Sequence, residues 1–263
     1  MKRIQSRENA WYKSLAKLAS SSRERRRTGM AILDGPHLIE AWRAHGGIAE
    51  AIVASESGSA RPDVDELLGA APARVHVILP DRLFDALAQV ATPVGILAVV
   101  ATPAPAALPA AIGDALLLDG LQDAGNLGSI LRSAAAAGVT EVFLGHGSAF
   151  AWSPKVLRAG MGAHFGLAIH ESVGLEALAQ RCSGQLVATD PRAEQPLDRV
   201  DLRGPVAWIF GNEGAGITPA LAALATERVR IPMPGGTESL NVAAAAAVCL
   251  FEQARQRRAA EGG

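Results

Sequence analysis

Tyrosine occurs once in the 263 residues, aromatic residues make up 4%, and there are two cysteines. So few aromatics leave aliphatic side chains to fill the core, which suits a helix-rich α/β protein better than a β-sandwich. Two cysteines exclude a disulfide-built scaffold. Cys182 and Cys249 lie in helical-looking segments among small or apolar neighbours and read as buried free thiols. No apolar run approaches the roughly 20 residues that a membrane-crossing helix requires. The basic opening MKRIQSRENAWYKSLAKLA puts Glu8 and polar residues where a signal peptide carries its apolar centre. The expectation is a cytoplasmic protein with no membrane partner. The six histidines show neither HExxH nor zinc-finger spacing, and the chain has no Walker A loop and no GxSxG elbow. No metal is expected, and the common metallohydrolase, P-loop and serine-hydrolase classes lose their support.

What is present is a globular composition, 49% hydrophobic and 19% charged, in a chain long enough for a small and an average domain. The net charge of −1 hides an asymmetry. Residues 1–30 carry nine Lys or Arg against Glu8 and Glu24, a net of +7, which leaves −8 on the remainder. A basic leading segment on an acidic body points to a polyanionic partner.

Residues 7–20 place Trp11, Leu15 and Leu18 at helical spacing, with basic residues facing outward. Strand-like runs follow at 31–33, 51–55, 75–79 and 95–100, separated by helical stretches near 36–45, 63–69 and 81–89. This describes a small layered α/β unit over 1–103. Residues 101–113, ATPAPAALPAAIG, hold three prolines and no charge and read as an extended linker. A second unit, 110–263, alternates strands at 115–120, 139–145, 165–170, 185–190, 206–211 and 228–233 with helices at 127–137, 154–160, 173–182, 218–224 and 240–257. Its strands are apolar without alternation, which predicts a parallel sheet covered on both faces, with ligands at the strands' carboxyl ends.

Three strand-end loops carry the polar and glycine content. In the first, LQDAGNLGSILRSAAAAG, Asn126 reads as a helix N-cap and Arg132 as a second-turn residue on the ligand side. The second, FGNEGAGI, has glycines at 211, 214 and 216 that let backbone approach a ligand, with Glu213 among them. It comes too late in the chain for a dinucleotide fingerprint. The third, RIPMPGGTESLNVAAAAAV, turns at Gly235 and Gly236 and places Ser239 and Asn241 at the start of the last helix, whose free N–H groups suit polar or anionic atoms. Taken singly, each also has an ordinary reading: a solvated Arg132 in the first, a tight turn with a solvated Glu213 in the second and a helix cap in the third.

Together with SPKVLRAGMGAHF (153–165), these loops resemble the conserved segments of the SpoU (TrmH-type) RNA 2'-O-ribose methyltransferases of the SPOUT superfamily. IQSREN and RRRTGMAILDGPHLIEAW at the front resemble the ribosomal-protein-like substrate-binding domain found in many of them. The resemblance implies a carboxy-terminal parallel-sheet domain threaded as a trefoil knot, a homodimer, S-adenosylmethionine as cofactor and structured RNA, not DNA, as partner. By resemblance, Arg132, Asn126, Glu213, Ser239 and Asn241 are the catalytic set. Thr189, Gly211, Asn212, Glu213, Gly216, Ile231, Met233 and Leu240 would hold the cofactor. The implied substrate is 23S ribosomal RNA. Transfer RNA and a non-catalytic role in ribosome assembly are the alternatives.

Overall fold

The computed structural model describes residues 1–90, 92–103 and 107–261, in two units: Met1–Ala104 with Trp152–Phe165, and Pro105–Ala151 with Gly166–Gly263. The change of unit falls within the proline-rich stretch, of which 104–106 lie outside the described residues. The grouping of Trp152–Phe165 with the first unit departs from an uninterrupted second unit over 110–263. Its cause is packing between residues far apart in sequence. Trp42 meets Phe165 edge-on with ring centroids 5.1 Å apart, Arg158 Nη1 donates to Gln89 O at 3.1 Å, and a Cβ on Gly162 would lie 2.5 Å from Ala41 Cβ.

The first unit runs β1 (Lys2–Arg3), α1 (Ala10–Ser20), α2 (Ser22–Thr28), β2 (Met30–Asp34), α3 (Pro36–Ala44), β3 (Ala51–Ser55), α4 (Glu56–Ser59), α5 (Pro62–Ala70), β4 (His76–Leu79), α6 (Asp81–Asp85) and β5 (Ile96–Ala101). Its strands form one mixed sheet in the order β1-β4-β3-β5-β2. Leu15 and Leu18 of α1 join Ile32, Val53, Val77, Leu97 and Phe84 in the core, as the helical spacing requires. The helix begins at Ala10 because Asn9 Oδ1 accepts from Trp11 N and Tyr12 N. The arginine-rich stretch after it is a second short helix that the apolar pattern did not show. Arg25 there is buried and donates from Nη1 to Leu18 O and Ala19 O at 2.7 and 2.9 Å, satisfying carbonyls at the end of α1.

The second unit contains β6 (Ala115–Asp119), α7 (Ala124–Ala137) and β7 (Glu141–Gly145). Helix α8 (Pro154–Gly160) belongs to the segment grouped with the first unit. Then come β8 (Ala168–Val173), α9 (Leu175–Ala179), β9 (Gln185–Thr189), β10 (Gln195–Pro196), β11 (Val206–Gly211), α10 (Pro219–Ala222), β12 (Glu227–Arg230) and α11 (Val242–Glu261). The seven strands pair in parallel in the order β10-β12-β9-β11-β6-β7-β8. Leu116, Leu117 and Leu118 of β6 and Trp208, Ile209 and Phe210 of β11 are fully buried, the unalternating pattern of a sheet covered on both faces. Strand β12 stops at Arg230, short of the predicted 233, because Pro232 and Pro234 cannot donate to a ladder.

At the amino ends of the central strands, Asp114 accepts from Val206 N at 2.9 Å, from Gln253 Nε2 at 3.0 Å and from both Arg257 Nη atoms at 2.7 Å. Gln253 in turn accepts from the buried Trp208 Nε1 at 2.7 Å. This chain of bonds fastens α11 to β6 and β11. Among the described residues no helix is long and apolar enough to cross a membrane.

Candidate functional site

Strands β6, β9 and β11 are neighbours and parallel, so their carboxyl ends share one edge of the sheet. In register, Gly211 lies opposite Asp119. From β6 the chain builds outward through β7 and β8, then returns to β9 and β11 on the other side. The strand order reverses here, and in open α/β sheets such a point leaves a crevice for ligands.

The first loop enters α7 through a cap different from the one predicted. Asp123 Oδ1 accepts from Asn126 N at 2.8 Å, so Asp123 is the N-cap and the helix starts three residues earlier, at Ala124. Asn126 is therefore the third helical residue, with its amide free for other contacts. The same shift moves Arg132 from the second turn to the third. Its side chain is exposed and has no partner among the described residues. Helical side chains lean toward the amino end of their helix, here the end that carries the loop.

The second loop is closed on itself. Asn212 and Gly216 exchange backbone hydrogen bonds of 3.0 and 2.9 Å. A Cβ at Gly211 would lie 2.2 Å from Gly216 C and Ile217 N, so only glycine fits that position. The Asn212 side chain organises the turn: Oδ1 accepts from Gly214 N and Ala215 N, and Nδ2 donates to Gly120 O at 2.8 Å, tying the second loop to the first. Thr218 N donates to Asp119 Oδ2 at 2.7 Å and ties them a second time.

Glu213 turns toward the first loop. Its Oε1 accepts from Asp123 N at 3.2 Å and from Asn126 Nδ2 at 3.0 Å, and its Oε2 from Gln122 N at 3.3 Å. Partial burial pushes this carboxyl up, but the Asn126 amide and the backbone donors outweigh it and hold the group below the usual range. Asn126 Oδ1 accepts from Asn241 Nδ2 at 2.9 Å, and Asn241 Oδ1 accepts from Ala243 N and Ala244 N at 2.9 and 3.3 Å. The polarity of this relay is set at both ends. An ionised carboxylate can only accept and a helix amino end can only donate, so each asparagine has one allowed orientation.

Asn241 thus caps α11, which begins at Val242 and not at 240. Ser239 stays outside the helix, with an exposed hydroxyl that has no partner among the described residues. Thr189 ends β9 and donates from Oγ1 to Ile209 O at 3.3 Å. Ile231 and Met233 are half-buried beyond β12, and Leu240 is 40% exposed. Gln122, Gly120, Asp119 and the capping role of Asp123 were missed by the sequence reading. The first two act through main-chain atoms and leave no side-chain signal, whereas Asp123 stands three residues before Asn126, the spacing of a cap.

These groups are suited to a neutral or cationic ligand held through backbone. The loops offer main-chain polar atoms freed by glycine, apolar surface from Ile231, Met233 and Leu240, and an acid already committed to bracing. That donor set fits S-adenosylmethionine, with backbone groups for its adenine and ribose and apolar walls for the ring.

Residues 115–251 match the model of the SpoU rRNA Methylase family. An uncharacterized tRNA/rRNA methyltransferase of Synechocystis is 34% identical, covering 98% of this chain and 95% of its own length. The 23S rRNA (guanosine(2553)-2'-O)-methyltransferase RlmP of Bacillus subtilis is 32% identical, covering 95% and 98%. Among solved structures, an RNA 2'-O ribose methyltransferase superposes with a TM-score of 0.82 at 31% identity, covering 97% of this chain and 99% of its own. The SpoU methyltransferase AviRb of Streptomyces viridochromogenes, in complex with AdoMet, superposes with a TM-score of 0.85 at 28% identity, covering 95% and 99%. Sequence, strand-end loops and fold agree: the chain belongs to the SpoU rRNA methylase family.

Proposed function

We propose that this chain transfers a methyl group from S-adenosylmethionine to a ribose 2'-hydroxyl of 23S ribosomal RNA. The observation that carries the reading is the Glu213–Asn126–Asn241 relay, which fixes three loops at the sheet edge and leaves Arg132 exposed at α7, with no partner among the described residues. The relatives named as 23S rRNA guanosine 2'-O-methyltransferases support the substrate.

When bound, S-adenosylmethionine supplies an activated methyl on a sulfonium. The protein's task is to place the hydroxyl oxygen in line and favour loss of its proton. Thr189, Gly211, Asn212, Gly216, Ile231, Met233 and Leu240 hold the cofactor, with Asn212 and Glu213 acting by keeping the loops in shape. A guanidinium remains a cation in proteins, so Arg132 positions the hydroxyl and stabilises the negative charge that develops on its oxygen. Ser239 offers its exposed hydroxyl to the target ribose, and Asn126 and Asn241 keep the surrounding backbone in register.

The unit that starts the chain serves as the RNA-binding domain, of ribosomal-protein-like fold, and 110–263, apart from the Trp152–Phe165 strap, as the catalytic domain. The catalytic part closes as a trefoil knot around the 211–217 and 231–241 loops. The protein works as a homodimer in the cytoplasm, where ribosomal RNA and the cofactor are found. Val248 and Phe251, 41% and 45% exposed and three residues apart on α11, supply an apolar stripe for the partner copy.

The test is incubation with tritiated S-adenosylmethionine and, separately, unmodified 23S ribosomal RNA and bulk transfer RNA, with label mapped to the nucleotide. Label as a 2'-O-methyl group in the ribosomal RNA is expected. Label in transfer RNA alone would overturn the substrate, and no label in either would overturn the reaction on free RNA.

A further inference from the structure

The basic charge of the leading segment is largely consumed within its own unit. Lys13 pairs with Glu8, Lys17 and Arg27 with Glu24, and Arg3 lies 3.8 Å from Glu56. Arg25 is buried against the carbonyls of α1, and Arg26 also has a partner. Lys2, Arg7 and Arg23 remain without one among the described residues.

Arg7 lines a cleft of about 420 Å³ with Gln5, Ser6, Arg82 and Leu83. Arg82, from α6, is likewise unpartnered among the described residues. Two guanidinia that no carboxylate among the described residues pairs with therefore share one concavity. Of the nearby acids, Asp81 accepts from Ser57 N and Ser57 Oγ, each at 2.9 Å, Glu8 is paired with Lys13, Glu56 faces Arg3 and Gln5, and Asp85, three residues along α6 from Arg82, is exposed and forms no ion pair among the described residues. Ser6 Oγ accepts from Glu8 N at 3.1 Å, which leaves the hydroxyl proton available to an incoming acceptor. The walls are fixed in place. Ile4 N donates to Ile78 O at 3.2 Å where β1 joins the sheet, and Tyr12 Oη donates to Leu83 O at 3.0 Å, fastening α6 to α1.

We propose that Arg7, Arg82 and the Ser6 hydroxyl form a phosphate-gripping site for the backbone of the RNA substrate, resting on the RNA-directed reading above. Guanidinium pairs recognise phosphate oxygens through forked hydrogen bonds, and fixed walls leave only the two side chains themselves to be ordered on binding. Contacts of this kind carry no base information. They position the RNA and make its binding salt-dependent. The charge that matters for RNA therefore comes from one arginine of the leading segment and one 75 residues later, and not from the arginine run of α2.

The experiment is filter binding of the full-length protein to unmodified 23S ribosomal RNA across a range of salt, comparing wild type with Arg7→Ala, Arg82→Ala, the double variant and Arg74→Ala. Arg74 is paired with Glu50 and serves as the control. Each single substitution at the cleft should lower the slope of log affinity against log salt by about 1, and the double by about 2. Arg7→Lys and Arg82→Lys should recover most of the slope, and S-adenosylmethionine affinity by calorimetry should stay at the wild-type value in all variants. A double variant with the slope of Arg74→Ala, its melting temperature unchanged, overturns the site. Calorimetry with inorganic phosphate at matched ionic strength separates sources: millimolar phosphate binding that the double variant loses, with the RNA salt slope unchanged, would mean a free-phosphate site, which also overturns the RNA assignment. Methyl transfer by wild type is scored independently, so a binding site without activity and an activity without this site give different results.

Discussion

Asn126 donates from Nδ2 to Glu213 Oε1 across 3.0 Å, although 87 residues separate them. The same amide's oxygen accepts from Asn241, a further 28 residues along from Glu213, so three loops share one directional chain of hydrogen bonds. Glu213→Gln keeps one acceptor oxygen for Asp123 N and Asn126 Nδ2 but sets its amide NH2 against Gln122 N and removes the negative charge that strengthens all three bonds. Hydrogen bonds to charged groups contribute about 1.5–3 kcal/mol. The exposure of this site places the expected loss of stability near the lower end. Cofactor affinity should fall about tenfold as the loops loosen; calorimetry that gives wild-type affinity would refute the bracing role.

Arg132→Ala should leave the fold and cofactor binding intact. The side chain is exposed and unpartnered among the described residues, and such surface changes shift stability by about 0.5 kcal/mol or less. Turnover should fall by two or more orders of magnitude, within the range seen when an electrostatic stabiliser of a transition state is removed. Methyl transfer near the wild-type rate, measured with tritiated cofactor, would remove Arg132 from the mechanism.

Asp114 and Arg257 form a two-pronged pair with both bonds at 2.7 Å. Burial pushes the Asp114 carboxyl up, but the Arg257 guanidinium, Val206 N and Gln253 outweigh it, and the group titrates below its ordinary value. A carboxyl depressed in the folded state adds stability that is present above the unfolded value, about 3.9. That stability is lost as pH falls through the folded one. Asp114→Asn should cost about 1–2 kcal/mol near neutral pH, since the pair is partly exposed. The gap from wild type should close below about pH 4. Denaturant unfolding at several pH values checks both parts, and a pH-independent gap would exclude the linkage.

Burial pushes the Cys249 thiol up to about 12, while Cys182 is only half-buried. Because the thiolate is the reactive form, an aromatic disulfide reagent should label Cys182 first and reach Cys249 only on unfolding. Rapid labelling of both thiols in the native protein would contradict the packing of α11.

Arg25→Met should destabilise the first unit by about 1–2 kcal/mol, because it leaves the Leu18 and Ala19 carbonyls at the buried end of α1 without their donor. Arg23→Met in the same helix should be neutral. Equal melting temperatures for the two variants would show that Arg25 has no capping role.

The sequence by itself determined the parallel sheet of the second unit, since β6 and β11 are apolar without alternation, a pattern that only a sheet covered on both faces can use. It also determined which loops matter, because glycine, proline and short polar residues collect where backbone must turn or approach a ligand. Only the tertiary structure decided which partner each polar side chain takes. Asn126 and Asp123 are both good caps by residue type, and the choice between them followed from a carboxylate 87 residues away that claims the Asn126 amide. The basic excess of the first 30 residues was visible as a sum, but its use depended on which arginines found a carboxylate or a carbonyl nearby. Likewise Trp152–Phe165 reads as part of the second unit until Trp42, Ala41 and Gln89 are brought against it. Local propensity and hydrophobic period act over a few residues and are written along the chain. The partners of hydrogen bonds and aromatic rings are set by distance in space, which exists only once the sheets have formed.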